Sequence, residues 1–154
     1  MSDEPLDLEA LNEAFASYVP HNAALGLKLI EAKRDPAVAV IRLPWSEQLV
    51  GNPETGVLHG GAITTLLDAT SGASVFFKLR EPIPIATLDL RVDYLKPATP
   101  RADVFARVEC FKTTHNIAFV RGVAYQADPE DPIATATGTF MLQTKGRSVA
   151  ERGL

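Results

Sequence analysis

The segment from Gly61 to Lys78 is the feature that most limits how this chain can fold. Its apolar side chains recur at helical spacing and leave no polar face, and Asp68 is its only charge before Lys78. This pattern predicts a long helix that is buried on most sides. Other elements must pack around such a helix, because exposing its apolar surface to water is unfavourable.

The rest of the chain has the pattern of strands. Between Ala86 and Tyr94 apolar and polar residues alternate with a period of two, which is typical of a strand with one buried face. Further strands are predicted over residues 25–33, 37–43, 104–112, 115–126 and 133–144. Consecutive strands joined by short turns indicate an antiparallel sheet. The sequence therefore predicts an α+β fold in which an antiparallel sheet curls round one central helix.

Both ends of the chain are predicted to lie outside this unit. An apolar stripe at spacings of three and four predicts an extra helix from residue 5 to about residue 18, within a helical extension at 1–20. Residues 146–154 are polar and are predicted to form a loose tail. A chain of 154 residues is long enough for one domain, so we expect a single domain over 1–154.

Composition excludes several classes of protein. The net charge is −4, but five acids lie in the first 13 residues, and the remainder, with 14 acids and 15 bases, is nearly neutral. A nucleic-acid interface would need a dense basic face, so none is expected. No run approaches the roughly 18 apolar residues of a membrane helix, and the acidic N-terminus does not resemble a targeting signal, so we expect a cytoplasmic protein. The single cysteine, Cys110, is expected to be a buried structural thiol rather than a nucleophile.

The start of the central helix is the best candidate for chemistry. Gly60 and Gly61 follow His59, and glycines allow a ligand to approach the backbone closely. The first N–H groups of a helix have no internal partner and lie at the positive end of its dipole. Such groups can act as an oxyanion hole, which places fixed donors where negative charge develops. Asp68 is a second candidate, because a carboxylate in an otherwise apolar helix is costly unless it is paired or used.

The spacing of Gly61 and Asp68 predicts that one site takes these two residues from different subunits. They are seven residues apart, so they share a helix face but are separated by roughly 10 Å along the axis. Asp68 can hardly reach a carbonyl bound at its own helix start. Two antiparallel copies of the helix would bring each start next to the other copy's carboxylate. This predicts a site shared by the two subunits of a symmetric homodimer.

Three segments resemble one known family. His59-Gly60-Gly61, followed by an acid nine residues after the His, is similar to the hotdog-fold acyl-CoA thioesterases, and most so to their phenylacetic-acid-degradation branch in the 4-hydroxybenzoyl-CoA thioesterase superfamily. Residues 86–98 and 134–140 resemble that branch's next strand and its final strand. The resemblance implies a hotdog fold, a homodimer joined by sheet edges and often doubled to a tetramer, and hydrolysis of an acyl-CoA thioester. It implies no metal and no bound cofactor, since coenzyme A is part of the substrate.

The resemblance also implies roles for the residues of the helix start. The N–H of Gly60 would polarise the thioester carbonyl, with assistance from the helix start at Gly61. His59 would lie beside the thioester and order the loop. Asp68 of the second subunit would be the general base for water or would attack directly as a nucleophile.

Substrate-binding positions follow the family's pattern less closely. Thr87 matches a position where the family often has a hydroxyl that holds the water or the carboxylate. The family commonly has Asn or Gln six residues before the His; here Pro53 is at that position, and Asn52 would have to serve from one residue further away. Some relatives have Thr four residues after the acid, where this chain has Gly72, preceded by Ser71. Coenzyme A phosphates need basic partners, and the candidates are Lys96, Arg101, Lys112, Lys145 and Arg147.

Two other functions remain compatible with the same fold. Hotdog hydratases and dehydratases of acyl thioesters also use a His and an acid, but as a pair in contact. A non-catalytic acyl-CoA binding module would need the cavity but no carboxylate within it. The position of the His at the helix start and of the acid two turns later favours hydrolysis over the hydratase reaction. The presence of Asp68 together with the Gly-Gly start argues against a module that only binds.

Overall fold

The computed structural model describes residues 5–143, and its central element is the predicted long helix. Two helices come first, α1 (Leu8–Tyr18) and α2 (Pro20–Ala24), followed by strands β1 (Lys28–Arg34) and β2 (Ala37–Leu43). A short hairpin, β3 (Val50–Asn52) and β4 (Val57–Leu58), leads into helix α3 (Gly60–Leu79). The chain ends in four long strands, β5 (Ile85–Tyr94), β6 (Val104–Thr113), β7 (Ile117–Tyr125) and β8 (Ala134–Leu142).

The six long strands form one antiparallel sheet in the order β1-β2-β6-β7-β8-β5. Helix α3 packs mainly on β2, β6 and β7, and ten of its side chains are buried there. The inward side chains of β6 alternate along the strand, and Cys110 is among them at 1% exposure. Burial raises the pKa of its thiol to about 11, so the cysteine is buried and unreactive, as the alternation predicted.

The structure adds elements that the sequence patterns did not predict. Pro20 ends α1, but it also opens α2, because proline is well tolerated at the first position of a helix. The stretch before α3 contains a 3₁₀ turn at Glu47–Leu49 and the β3–β4 hairpin, neither of which was predicted. The predicted loose tail at 146–154 lies outside the described residues. No helix within residues 5–143 is both long and apolar enough to cross a membrane.

Strand β5 forms one edge of the sheet and runs along the more open side of α3. Its register with β8 slips between Thr87 and Asp89, so the bulge at Leu88 interrupts the predicted alternation and leaves that side chain 53% exposed. β5 runs antiparallel to α3, so the end of the strand lies beside the start of the helix. Tyr94 reaches Gly60, and Thr87 reaches Asp68. The helix start and Asp68 therefore both face this edge strand.

Candidate active site

His59 is the N-cap of α3 and is held on both sides. Its Nδ1 accepts a hydrogen bond from the Gly61 N–H at 2.8 Å, and its own N–H donates to the carbonyl of Leu49 at 2.8 Å. A β-carbon on Gly61 would lie 2.9 Å from His59 Nδ1, so glycine is required for this cap. The β3–β4 hairpin packs equally closely against the His59 backbone, since a β-carbon on Gly51 would lie 2.9 Å from His59 Cα.

The cap decides which amide at the helix start is available. The Gly61 N–H is occupied by His59, and the Ala62 N–H donates to the His59 carbonyl at 3.0 Å. The Gly60 N–H has no hydrogen-bond partner among residues 5–143. Gly60 therefore presents the free donor, at the positive end of a 20-residue helix.

The bond from Gly61 also sets the tautomer of neutral His59. Nδ1 must be unprotonated to accept the bond, so the ring proton lies on Nε2. The His59 side chain is exposed, so this Nε2–H is a second donor at the mouth of the site.

Asp68 lies two turns further along α3, on the side that faces β5. It is half-buried, and its Oδ1 accepts a hydrogen bond from the Thr87 hydroxyl at 2.8 Å. Nine residues separate it from His59, about 13 Å along the helix axis. A direct His59–Asp68 pair is therefore not formed within one chain.

The other two predicted substrate-binding residues have different surroundings. Asn52 is exposed, and its side-chain oxygen accepts from the Glu54 N–H at 3.0 Å, within the turn that joins β3 to β4. Ser71 is fully buried in the core side of α3, and its hydroxyl has no partner within the described residues. Neither side chain is in hydrogen-bond contact with Asp68 or His59.

The structure brings two residues to the helix start that sequence reasoning did not identify as part of the site. Tyr94 Oη donates to the Gly60 carbonyl at 2.6 Å and lies 2.7 Å from Thr64 Oγ1. In the sequence Tyr94 only continues an alternating strand, and Thr64 only continues an apolar helix. The one feature of the sequence that could have pointed to Tyr94 is its position, a phenol at the end of the strand that follows the helix with the glycine motif.

The candidate phosphate-binding residues are also distinguished by their contacts. Lys96 is paired with Asp131 at 2.6 Å. Neither Lys112, on β6, nor Arg101 makes an ion pair within residues 5–143. The Arg101 guanidinium lies over Gly56 in the hairpin that leads to His59, with Cζ 3.9 Å from where a Gly56 β-carbon would be. Lys145 and Arg147 lie outside the described residues.

A long helix packed on a six-stranded antiparallel sheet, with His-Gly-Gly at the helix start and an acid on its open side, defines a hotdog-fold protein of the thioesterase class. A family model described as the thioesterase superfamily matches residues 55–133. The protein named medium/long-chain acyl-CoA thioesterase YigI from Salmonella typhimurium is 31% identical over 148 residues, covering 88% of this chain and 93% of that protein. The Escherichia coli K12 protein of the same name is 30% identical over 148 residues with the same coverage. The chain belongs to the thioesterase superfamily.

Solved structures agree with this assignment. A Pseudomonas aeruginosa protein is 46% identical with a TM-score of 0.77, covering 87% of this chain and 97% of that one. A mutant of the phenylacetic acid degradation protein PaaI from Thermus thermophilus is 26% identical with a TM-score of 0.68, covering 80% and 98%. The predicted hotdog fold, the family resemblance and the prediction of a thioesterase enzyme are thereby confirmed.

Proposed function

We propose that this protein hydrolyses an acyl-CoA thioester to the free acid and coenzyme A, at a site shared by two subunits of a homodimer and without metal or bound cofactor. The observation that carries the proposal is the free Gly60 N–H at the start of a helix whose open side also bears a half-buried carboxylate, Asp68. The names of the two YigI relatives supply the acyl-CoA class and suggest medium or long acyl chains.

In the proposed reaction the thioester carbonyl oxygen accepts a hydrogen bond from the Gly60 N–H. Asp68 of the second subunit takes a proton from water, and the water oxygen bonds to the carbonyl carbon. The negative charge that forms on the carbonyl oxygen is stabilised by the helix start, where one such donor supplies about 2.7–4 kcal/mol. The C–S bond then breaks, and the proton passes from Asp68 to the departing thiolate. In the alternative route, an Asp68 oxygen bonds to the carbonyl carbon, the C–S bond breaks and the thiolate departs, taking a proton from water. A water molecule then hydrolyses the resulting anhydride, which releases the free acid and restores Asp68.

Two features support a shared site. Gly60 and Asp68 of one helix are eight residues apart, about 12 Å, which is too far for both to act on one carbonyl. Strand β5, which both of them face, is a sheet edge whose outer backbone groups are unpaired within residues 5–143, and its side chains at Leu88 and Tyr94 are exposed. Antiparallel pairing of two β5 strands would extend the sheet across the dimer and place the two α3 helices side by side.

The test is release of free thiol from acyl-CoAs with short, medium, long and aromatic acyl groups. We expect hydrolysis, with the highest kcat/KM for medium or long chains. Ellman's reagent is suitable because the only cysteine of the protein is buried and its thiol pKa is about 11. A change in 2-enoyl absorbance without thiol release would indicate a hydratase, and stoichiometric binding of intact acyl-CoA would indicate a binding module; either result contradicts the proposal.

Within this proposal, Arg101 is the strongest candidate for a coenzyme A phosphate. Its loop is held by Gln126, which accepts from the Thr99 N–H at 2.7 Å and donates to the carbonyls of Thr99 and Ala102. The loop follows Tyr94, whose hydroxyl contacts the helix start, so Arg101 is presented beside the same mouth. A guanidinium suits phosphate because it can donate two parallel hydrogen bonds.

Arg101→Ala is expected to raise KM about 10-fold for acyl-CoA, the size of one lost charge-assisted hydrogen bond. It should leave KM unchanged for the matching S-acyl N-acetylcysteamine, which has no phosphate. Arg80→Ala is the matched control, since Arg80 is also exposed with a left-handed backbone but lies at the opposite end of α3. Equal KM changes with both substrates would contradict a phosphate contact.

A further inference from the structure

We infer that Tyr94 and Thr64 are positioning residues that orient the Gly60 N–H, so that the end of strand β5 is part of the oxyanion hole. The inference rests on the proposed function. It follows from the hydrogen bonds around a single peptide group, the one that joins Gly60 to Gly61. The carbonyl of this peptide accepts from Tyr94 Oη at 2.6 Å, and its N–H donates to His59 Nδ1 at 2.8 Å. We call these partners the Gly60–Gly61 clamp: Tyr94, Thr64 and His59.

The direction of the bonds can be assigned from the donors available. A carbonyl oxygen cannot donate, so the single proton of the Tyr94 hydroxyl is directed at the Gly60 carbonyl. The second contact of that hydroxyl, with Thr64 Oγ1 at 2.7 Å, must then receive its proton from Thr64. Thr64 therefore fixes the rotation of the phenol O–H and strengthens it as a donor.

Two glycines in sequence make such a clamp necessary. Glycine has wide freedom in φ and ψ, so a Gly-Gly peptide at a helix end can rotate at little cost. The Gly60 N–H belongs to the preceding peptide, which meets the clamped one at the Gly60 α-carbon. Holding the Gly60–Gly61 peptide in place restricts φ and ψ of Gly60, and it thereby limits the directions that the Gly60 N–H can take. An oxyanion donor must hold its direction before charge develops, and a misplacement of about 1 Å can cost about 10²-fold in rate.

Gly60 also lies directly against the phenol. A β-carbon at Gly60 would lie 3.3 Å from Tyr94 Oη, tighter than most β-carbon contacts, and 3.4 Å from Cζ. The phenol is therefore packed directly against the residue whose N–H is free. Tyr94 is 50% exposed, so neither burial in the core of its own chain nor apolar contact at the proposed β5 edge accounts for the phenol hydroxyl.

The test is Tyr94→Phe, which removes only the hydroxyl. We expect kcat for a preferred acyl-CoA to fall about 10-fold to 10²-fold with KM within about twofold, because the transition state loses an aligned donor while the ground state is bound as before. Tyr125→Phe is the matched control. Tyr125 stacks on Phe105, with 5.8 Å between the ring centroids, and this contact does not involve the helix start. Removing the Tyr125 hydroxyl should therefore leave kcat unchanged.

Thr64 provides a second test that a simple packing role would not pass. Thr64→Val should reduce kcat in the same way, and Thr64→Ser, which keeps the hydroxyl, should reduce it far less. The double variant Tyr94→Phe with Thr64→Val should be no slower than Tyr94→Phe alone, since Thr64 acts through the phenol. Hydrogen exchange at the Gly61 amide should be faster in Tyr94→Phe than in the unaltered protein.

The outcomes separate this inference from the proposed function. If the unaltered protein hydrolyses acyl-CoA but Tyr94→Phe keeps its kcat, the clamp has no role and the hydrolase assignment stands. A rise in KM at constant kcat would also overturn the inference, since Tyr94 would then contact substrate rather than position the amide. If the unaltered protein releases no thiol from any acyl-CoA, the proposed function fails first. Unchanged Gly61 exchange in Tyr94→Phe would then overturn the clamp as well.

Discussion

Replacing Asp68 with Asn is expected to lower the turnover of an acyl-CoA thioester at least about 10²-fold and to leave the fold intact. The change removes the negative charge and the proton-accepting carboxylate from the site. The amide oxygen of Asn can still accept the hydrogen bond that Thr87 now donates to Asp68. The loss should therefore appear in kcat, measured by thiol release at saturating substrate, with little change in the thermal midpoint.

The matched control is Asp128→Asn, the same change in the turn between β7 and β8. Asp128 is exposed, and its Oδ1 accepts a hydrogen bond from the Glu130 N–H at 2.9 Å, which an amide oxygen can accept as well. The kcat of Asp128→Asn should stay within about twofold of the unaltered protein. Near-normal hydrolysis by Asp68→Asn would remove Asp68 from the mechanism.

Mixing two inactive variants is expected to restore activity if the site is shared between subunits. One chain carries Asp68→Asn and keeps its helix start; the other carries Gly61→Ala, whose β-carbon would lie 2.9 Å from His59 Nδ1 and disrupt the cap. A mixed dimer then contains one site with both parts intact. With random pairing of equal amounts, half of the dimers are mixed and each has one good site of two, so about a quarter of the full activity should return.

The two chains are co-expressed with different tags, and mixed dimers are isolated on both tags before the thiol-release assay. Isolated mixed dimers should have about half the activity of the unaltered dimer per subunit pair. A site contained within one chain would be broken in every subunit, so activity would stay at the level of the two single variants. Such a result would exclude the shared site. It would not decide whether Asp68 takes part in hydrolysis, which the activity of the Asp68→Asn protein tests.

Much of the fold could be predicted because its signals are local. The apolar helix was predicted at 61–78 and spans 60–79, and the alternation that predicted a strand from Ala86 to Tyr94 corresponds to β5. Periodicities of 3.6 and 2 reflect which side of an element is buried, so they survive in the sequence. The bulge at Leu88 and the helix at Pro20–Ala24 were not predictable in this way, because each depends on how neighbouring segments pack.

The candidate site, like the fold, could be predicted only where its signals are local. Two glycines after a histidine and an isolated acid on an apolar helix have chemical meaning without coordinates, so His59, Gly60, Gly61 and Asp68 could be chosen as candidates from the sequence alone. Which amide is free could not, because it depends on the rotamer of the His59 ring and its bond to Gly61.

The sequence by itself determined the long buried helix, the strands around it and the residue types of the helix start, since each follows from spacing within a short segment. The resemblance already gave Thr87 as a hydroxyl that holds the water or the carboxylate. Only the tertiary structure decided that this hydroxyl donates to Asp68 of the same chain and that Tyr94, 34 residues away along the chain, contacts the Gly60 carbonyl. The physical reason is that these contacts depend on the register of an edge strand against a helix. That register is set by the packing of the whole sheet and has no local pattern in the chain.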